Sequence, residues 1–269
     1  MFTLADHLLA VIVGVVVPVA SARSGRDASL RMAMATDPEV RRAVVQQSAA
    51  LQWLMCGLVM GATWLRGADV DALGLSPRGV EPGLAIAFVL ALVGALALIV
   101  RGQVILRNPW RRQRTLAKSA AAAPFLPRTR AEQRGWVWLS VTAGFCEEVI
   151  FRGFLLAYGL AWATGEFGPP SPDQPAAWAA AVFVSLAFGA SHLYQGRTEA
   201  LKVVVFGSSL AFLYVLSGSI WPSILLHVFV DIHEGWLWTR ALQAEGEELL
   251  AIHGIGGTQD APRAAADDE

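Results

Sequence analysis

The sequence predicts an all-α protein that crosses a membrane several times. Of its 269 residues, 55% are hydrophobic and only 16% are charged, and the charges are gathered into a few segments. Ordinary soluble domains carry about 25% charged residues. Within a hydrocarbon core the backbone must satisfy its own hydrogen bonds, which an α-helix does. We therefore expect a polytopic transmembrane helix bundle.

Seven stretches are apolar enough to serve as spans, because about 20 helical residues cross a hydrocarbon core. These predicted spans lie approximately at 4–20, 49–65, 83–100, 136–161, 177–194, 201–217 and 220–239. The first stretch is short and ends in small residues, as a cleavable signal peptide does. It lacks the basic region of such a signal, since no Lys or Arg precedes Arg23. We interpret it as a retained helix.

The basic residues between the spans predict the orientation of the bundle. With the N-terminus outside, the segments 21–48, 101–134 and 195–202, together with the C-terminal tail, are cytoplasmic. They then hold eighteen Lys and Arg residues, whereas the outer loops hold only Arg66 and Arg78. Cytoplasmic loops carry the excess of basic residues in membrane proteins. We expect an outside N-terminus and a cytoplasmic C-terminus, in a bacterial cytoplasmic membrane.

The distribution of spans and charges divides the chain into three regions. Residues 1–134 form an N-terminal transmembrane region with basic cytoplasmic loops, and residues 135–240 form a transmembrane core. Residues 241–269 form a cytoplasmic tail, which is predicted to be disordered at its Gly, Ala and acid-rich end. The basic segment 101–134 is typical of attraction to anionic lipid headgroups. The lipid bilayer is therefore an expected partner, and nucleic acid is not.

Two adjacent carboxylates, Glu147 and Glu148, lie inside the fourth span. Ionisable residues at membrane depth are costly and mark functional sites. Glu148 and Arg152 are four residues apart and share one helix face, where they can form an ion pair. Glu147 is rotated from that face by about 100°. The sequence thus predicts one paired and one unpaired carboxylate.

Two later spans carry further polar residues with helical spacing. Phe188 and His192 are one turn apart in the fifth span, and His227 and Asp231 are one turn apart in the seventh. With a rise of about 1.5 Å per residue, Glu147 and these polar residues lie at compatible depths in the cytoplasmic half of the bundle. We expect the three helices to contribute to one site.

These motifs resemble a known family. Glu-Glu-x-x-x-Arg, Phe-x-x-x-His and His-x-x-x-Asn/Asp on separate helices are similar to the three motifs of the CPBP intramembrane proteases, which include the eukaryotic CAAX prenyl endopeptidase. Glu147-Glu148-x-x-Phe151-Arg152-Gly153 is also similar to the extended first motif of bacterial members. The resemblance covers residues 136–235, whereas the first three spans match only in general character.

The resemblance implies an enzyme that hydrolyses a peptide bond of a membrane-associated protein or peptide. By this resemblance Glu147 is the general base that activates water, and His192 helps to hold that water. His227 and Asp231 stabilise the oxyanion of the tetrahedral intermediate.

The resemblance also implies supporting roles for Glu148, Arg152 and Phe188, of which the last shapes the site. One position departs from the family pattern, because many members carry Asn where this chain has Asp231. An amide donates to an oxyanion, whereas an ionised carboxylate does not. Asp231 then either holds His227 in the required tautomer or cationic state, or ligates a metal ion.

The sequence leaves the question of a metal cofactor open. His233-Glu234 lacks the second His of a His-Glu-x-x-His zinc motif. Two His and one or two carboxylates from three helices would still satisfy Zn²⁺. Our expectation is a metal-independent, Glu-activated water, with zinc as the alternative.

Two other classes of function fit the same polar residues. Buried acidic, basic and His side chains on several helices can form a proton relay or an ion-coupled transport site. Transporters usually contain inverted repeats and broken helices at matching positions, and neither is visible in the sequence. A membrane scaffold without catalytic activity is the third option.

Overall fold

The computed structural model describes residues 2–24, 27–76 and 81–252. These residues form helices and connecting turns and contain no β-strand, so the predicted all-α class is confirmed. We number the longer helices in chain order as α1 Leu4–Ser24, α2 Ala28–Thr36, α3 Pro38–Leu65, α4 Gly83–Leu106, α5 Pro109–Lys118, α6 residues 130–164, α7 Pro175–Ala190, α8 Arg197–Ser217 and α9 Trp221–Ile252. Short 3₁₀ turns lie at Val70–Leu73, Ala123–Phe125 and Leu193–Gln195.

Several of these helices have the composition of membrane spans. Four helices in the described ranges, α1, α3, α4 and α8, are long and apolar enough to cross a membrane, and α7 is a shorter apolar helix. Helices α6 and α9, which carry the charged motifs, are not in that group of four. The protein is an integral membrane protein, and its seven spans and its orientation remain predictions.

Helix α6 lies at the centre of the bundle. It packs between α3 and α9, while α9 also contacts α4, and α8 contacts α7 and α4. All nine residues of Glu148–Leu156 in α6 are buried. By contrast, α4 presents large apolar side chains such as Val89, Leu92 and Val93 on the outside. Such an apolar exterior is suited to contact with lipid, and the ionisable residues of α6 are enclosed by the bundle.

The middle of α6 departs from the α-helix expected for the fourth span. Residues Glu148–Leu156 are π-helical, between the α-helical segments Arg130–Glu147 and Ala157–Thr164. π-Helical turns are rare and are frequent at functional sites. A Cβ atom at Gly153 would lie 2.9 Å from the carbonyl oxygen of Leu73, so this glycine allows the wider turn to pack closely against the neighbouring backbone.

Helix α7 ends earlier than the predicted span 177–194. It stops at Ala190, and His192 lies beyond the helix end. Carbonyl groups in the last turn of a helix lack backbone donors and take other partners. The carbonyl oxygen of Phe188 accepts hydrogen bonds from Ser191 Oγ at 2.7 Å and from His192 Nδ1 at 2.9 Å. The same contacts that finish the helix therefore fix the His192 ring.

Helix α1 is joined to the rest of the bundle by polar contacts. Thr3 caps its start, and Asp6 pairs with Arg66 at the end of α3. His7 Nδ1 lies 2.7 Å from the hydroxyl oxygen of Tyr158 in α6. The first predicted span is thus packed into the bundle.

The region boundaries expected from the sequence fall inside continuous helices. The boundary between residues 134 and 135 lies in α6, and that between residues 240 and 241 lies in α9. The tail is helical as far as Ile252. Its remaining part, 253–269, lies outside the described residues, as does the predicted disorder.

Candidate active site

The structure brings the polar motifs of α6, α7 and α9 together. Glu147 Oε2 lies 4.0 Å from His192 Nε2 and 3.9 Å from His227 Nε2. His227 Nε2 lies 3.7 Å from Asp231 Oδ2. Side chains that are up to 84 residues apart in the chain therefore surround one small volume, as the matching depths predicted.

The predicted ion pair within α6 is present and fully buried. Arg152 donates to Glu148 Oε1 at 2.9 Å, and both side chains are 0% exposed. Arg152 also donates to the carbonyl oxygen of Gly207 at 3.0 Å. Its guanidinium carbon lies 4.3 Å from the centroid of the Phe188 ring, which is a cation–π distance. Phe188 thus contacts the ion pair directly.

Glu148 has a second partner that the motif spacing did not reveal. Its Oε1 lies 2.8 Å from His227 Nδ1. An ionised carboxylate only accepts hydrogen bonds, so Nδ1 carries a proton and donates it. Glu148, rather than Asp231, makes the direct hydrogen bond that orients the His227 ring, because the 3.7 Å from Asp231 to Nε2 is too long for one.

The hydrogen bond at the end of α7 determines which nitrogen of His192 faces the site. His192 Nδ1 lies 2.9 Å from the carbonyl oxygen of Phe188, which can only accept. In the neutral ring the proton is therefore on Nδ1. The unprotonated Nε2 then points to Glu147 as a hydrogen-bond acceptor.

The sequence interpretation missed Gln52 on α3. Its Nε2 donates to Glu147 Oε1 at 2.8 Å, the one direct hydrogen bond to that carboxylate among the described residues. The available signal was a Gln inside the apolar span 49–65, because polar residues in spans form contacts between helices. Spacing alone does not reveal its partner, which is 95 residues away in the chain.

The site opens into a large cavity of about 1600 Å³. Apolar residues of α1, α3 and α4, among them Val17, Met55 and Leu98, line much of the cavity. Its lining also includes charged residues of the segments predicted to be cytoplasmic, such as Arg31 and Lys202. The cavity is therefore suited to an amphipathic ligand with an extended chain.

The zinc site that the sequence left open stays a prediction, because the polar residues are only slightly further apart than the ligands of a zinc ion. Tetrahedral zinc with ligands at 2.0–2.2 Å requires neighbouring ligand atoms roughly 3.3–3.6 Å apart. Glu147 lies 4.0 Å from His192 and 3.9 Å from His227, and His227 lies 3.7 Å from Asp231. In the described part of the chain, no three His, Cys, Asp or Glu side chains are arranged to hold a metal ion. We derive no chemical step through a metal.

A carboxylate that faces two imidazoles beside an apolar cavity, in a bundle of membrane helices, belongs to the class of sites that can carry out proton transfer within a membrane. Comparison with known families agrees with this class. The family model described as type II CAAX prenyl endopeptidase Rce1-like matches residues 134–233. The region that carries all three motifs is thus similar to the CPBP, CAAX protease-like family. No curated protein and no solved structure matches the chain.

Proposed function

We propose that the protein is an intramembrane endopeptidase in which Glu147 activates the water that attacks a peptide bond. One observation carries this proposal. Glu147 Oε2 is buried, has no hydrogen-bond partner among the described residues, and lies 4.0 Å from His192 Nε2. This separation suits two groups bridged by one water molecule, with about 2.8 Å to each. The substrate is a membrane-associated peptide or protein.

The two acceptors orient the attacking water. The water donates one proton to Glu147 Oε2 and the other to His192 Nε2, because the Phe188 carbonyl keeps the His192 proton on Nδ1. A lone pair of the water is then directed to the substrate carbonyl carbon. Positioning of this kind and removal of the proton by a general base are the two contributions that amide hydrolysis needs.

His227 stabilises the oxyanion only as an imidazolium. Glu148 holds the proton of Nδ1, so a neutral ring presents Nε2 as an acceptor, whereas the cation presents an N–H donor. Three carboxylates, those of Glu147, Glu148 and Asp231, lie within 4 Å of its ring nitrogens. Nearby negative charge favours the cationic ring. Asp231 thus acts through its charge, and His227 is the donor.

The reaction is balanced in protons. Glu147 takes a proton from water as the new C–O bond forms, and the tetrahedral oxyanion accepts a hydrogen bond from His227 Nε2. Glu147 then returns its proton to the amide nitrogen as the C–N bond breaks. The products are a carboxylic acid and an amine, and the site regains its initial charge. The acid then passes its proton to the amine, which leaves as an ammonium ion beside the carboxylate.

Replacement of the general base tests the proposal. Glu147→Gln keeps the size of the side chain and removes its basicity, so we expect turnover to fall by about 10²–10⁴-fold while the protein remains folded. The probe is a quenched fluorescent, prenylated peptide with a CAAX terminus, in vesicles that contain the purified protein. New C-termini in membrane proteomes of parental and variant cells identify natural substrates. Exposed Glu39 on α3 supplies the control Glu39→Gln.

Three outcomes of these assays would count against the proposal or part of it. Parental turnover by Glu147→Gln refutes the general-base role. Loss of turnover on chelation, restored by Zn²⁺, refutes the metal-free chemistry. Protein-dependent ion flux in the vesicles, without any peptide product, would show that the protein is a transporter and not a protease.

A further inference from the structure

Gln52 touches the proposed general base from outside the family match. It belongs to α3, whereas the matched region is 134–233. Its Nε2 donates to Glu147 Oε1 at 2.8 Å. None of the three motifs includes this residue.

Neighbouring contacts hold the backbone of α3 against α6 at this point. The ring of Trp53, the next residue after Gln52, stacks on Phe145 with 5.7 Å between ring centroids. Trp53 Nε1 also donates to Thr142 Oγ1 at 3.3 Å. The position of Gln52 beside the site is therefore fixed by a packed interface between two helices.

The two oxygens of the Glu147 carboxylate are in different surroundings. Oε1 accepts the hydrogen bond from Gln52, whereas Oε2 faces His192 and His227 and has no hydrogen-bond partner among the described residues. A carboxylate can rotate about its last bond and exchange these oxygens. The hydrogen bond from Gln52 opposes that rotation and leaves Oε2 available to water.

The carbonyl oxygen at the other end of the Gln52 amide has no hydrogen-bond partner among the described residues. The carboxylate of Glu147 only accepts, so the NH₂ group must face it, and the carbonyl Oε1 is directed elsewhere. This Oε1 is buried without a hydrogen-bond partner in the part of the chain that the structure describes, and Gln52 lines the cavity. A buried acceptor without a donor is destabilising. A ligand in the cavity that supplies an N–H group would relieve this cost.

We propose that Gln52 positions the general base and binds the substrate backbone. Its Nε2 holds Glu147 so that Oε2 receives the proton of water, and its Oε1 accepts an N–H of the peptide substrate. The proposal rests on the proposed function, since it assigns Glu147 as the base. It also defines a feature of the substrate: an extended backbone with a free N–H close to the scissile bond.

The first test needs no substrate. Infrared difference spectra of the purified protein against Glu147→Gln isolate the titration of the Glu147 carboxyl group. Gln52→Leu removes the donor to the ionised form, so we expect the midpoint of that titration to move to higher pH. Gln47→Leu, at an exposed position of the same helix, should leave the midpoint unchanged. An unchanged midpoint in Gln52→Leu overturns the positioning role.

The second test measures turnover of the prenylated CAAX peptide and of a series with one N-methylated amide at each position around the scissile bond. We expect Gln52→Leu to lower kcat about ten- to a hundred-fold, as the loss of a hydrogen bond to a charged group does. In the parental enzyme one N-methyl position should raise KM. That penalty should vanish in Gln52→Leu, because both changes remove the same hydrogen bond.

The outcomes separate this inference from the proposed function. If Glu147→Gln is active, the general-base assignment fails. If Glu147→Gln is inactive but every N-methyl penalty is the same in the parental enzyme and in Gln52→Leu, only the binding role of Gln52 fails. If Gln52→Leu does not fold, Gln52→Glu, which is close in size, replaces it in the first test, and Gln52→Met, which lacks the amide acceptor, replaces it in the second. In Gln52→Glu, repulsion between the two carboxylates should move the midpoint of the Glu147 titration to a still higher pH than in Gln52→Leu.

Discussion

At the scale of single residues, two neighbours in the chain have opposite surroundings. Glu148 is fully buried and accepts hydrogen bonds from Arg152 and His227. Glu147 accepts one hydrogen bond, from Gln52, and its Oε2 has no partner among the described residues. The first carboxylate balances a buried cation, whereas the second is available for chemistry. The same substitution should therefore have different effects at the two positions.

Glu148→Gln should destabilise the protein strongly. It leaves the guanidinium of Arg152 buried without its counter-charge, which costs about 3–5 kcal/mol. Glu147→Gln should have nearly the same free energy of unfolding as the parental protein, since the Glu147 carboxylate neutralises no directly bonded cation. Unfolding transitions of the two purified variants in detergent measure the difference. The double variant Glu148→Gln/Arg152→Gln is the matched control, and it should recover part of the loss. Equal unfolding of the two single variants would contradict this division of roles.

The sequence predicts contacts within one helix better than contacts between helices. Helical spacing was sufficient to pair Glu148 with Arg152, because side chains four residues apart share a face. The bonds from Gln52 to Glu147 and from His227 to Glu148 cross between helices, and they depend on rotation and depth that packing determines. Matching depth could predict that His227 approaches the site, but not which carboxylate it contacts.

At the scale of elements, the approach of α6 to α9 sets the geometry of the site. A Cβ atom at Gly144 would lie 2.4 Å from Val228 Cγ2 and 2.9 Å from the backbone nitrogen of Val228. Small residues allow membrane helices to approach so closely. Gly144 is one turn from Glu148, and Val228 follows His227 in the chain. The close approach thus brings the two halves of the Glu148–His227 hydrogen bond together.

Gly144→Ala should push α6 away from α9. The added methyl group meets backbone as well as side-chain atoms of Val228, so we expect a loss of about 1–3 kcal/mol in stability and a fall in turnover. Gly135→Ala is the control on the same helix, because a Cβ atom there has no neighbour within 4 Å. It should be neutral or slightly stabilising. Unfolding and turnover are measured for both variants, and equal behaviour would show that the close approach is not needed.

The positions of the helices followed from the sequence more closely than their details. The predicted spans lie largely within helices because length and apolar composition determine both. The π-helical segment Glu148–Leu156 has no pattern of its own in the sequence, since the widening of the turn depends on contacts with other elements such as Leu73. The early end of α7 at Ala190 depends likewise on side chains that bond a carbonyl group.

At the scale of the whole molecule, ion pairs join the segments predicted to be cytoplasmic. Arg112 of α5 is buried and pairs with Glu245 and Glu248 of α9. Arg41 of α3 donates to Glu132 of α6 at 2.7 Å. These contacts link the N-terminal helices to α6 and α9. We call these joined segments the charged layer, and its position on the cytoplasmic side stays a prediction.

The orientation of this layer decides from which side the substrate reaches the site. Eighteen basic residues on one side and two on the other predict that the layer is cytoplasmic. We expect a membrane-impermeant maleimide to label Asp69→Cys in sealed right-side-out vesicles, and to label Lys118→Cys only after permeabilisation. Both positions are exposed, whereas the native Cys56 and Cys146 are 0% exposed, so the parental protein is the unlabelled control. The reverse labelling pattern would show that the bundle has the opposite orientation. The cavity would then open to the outside, because residues of the charged segments line the cavity.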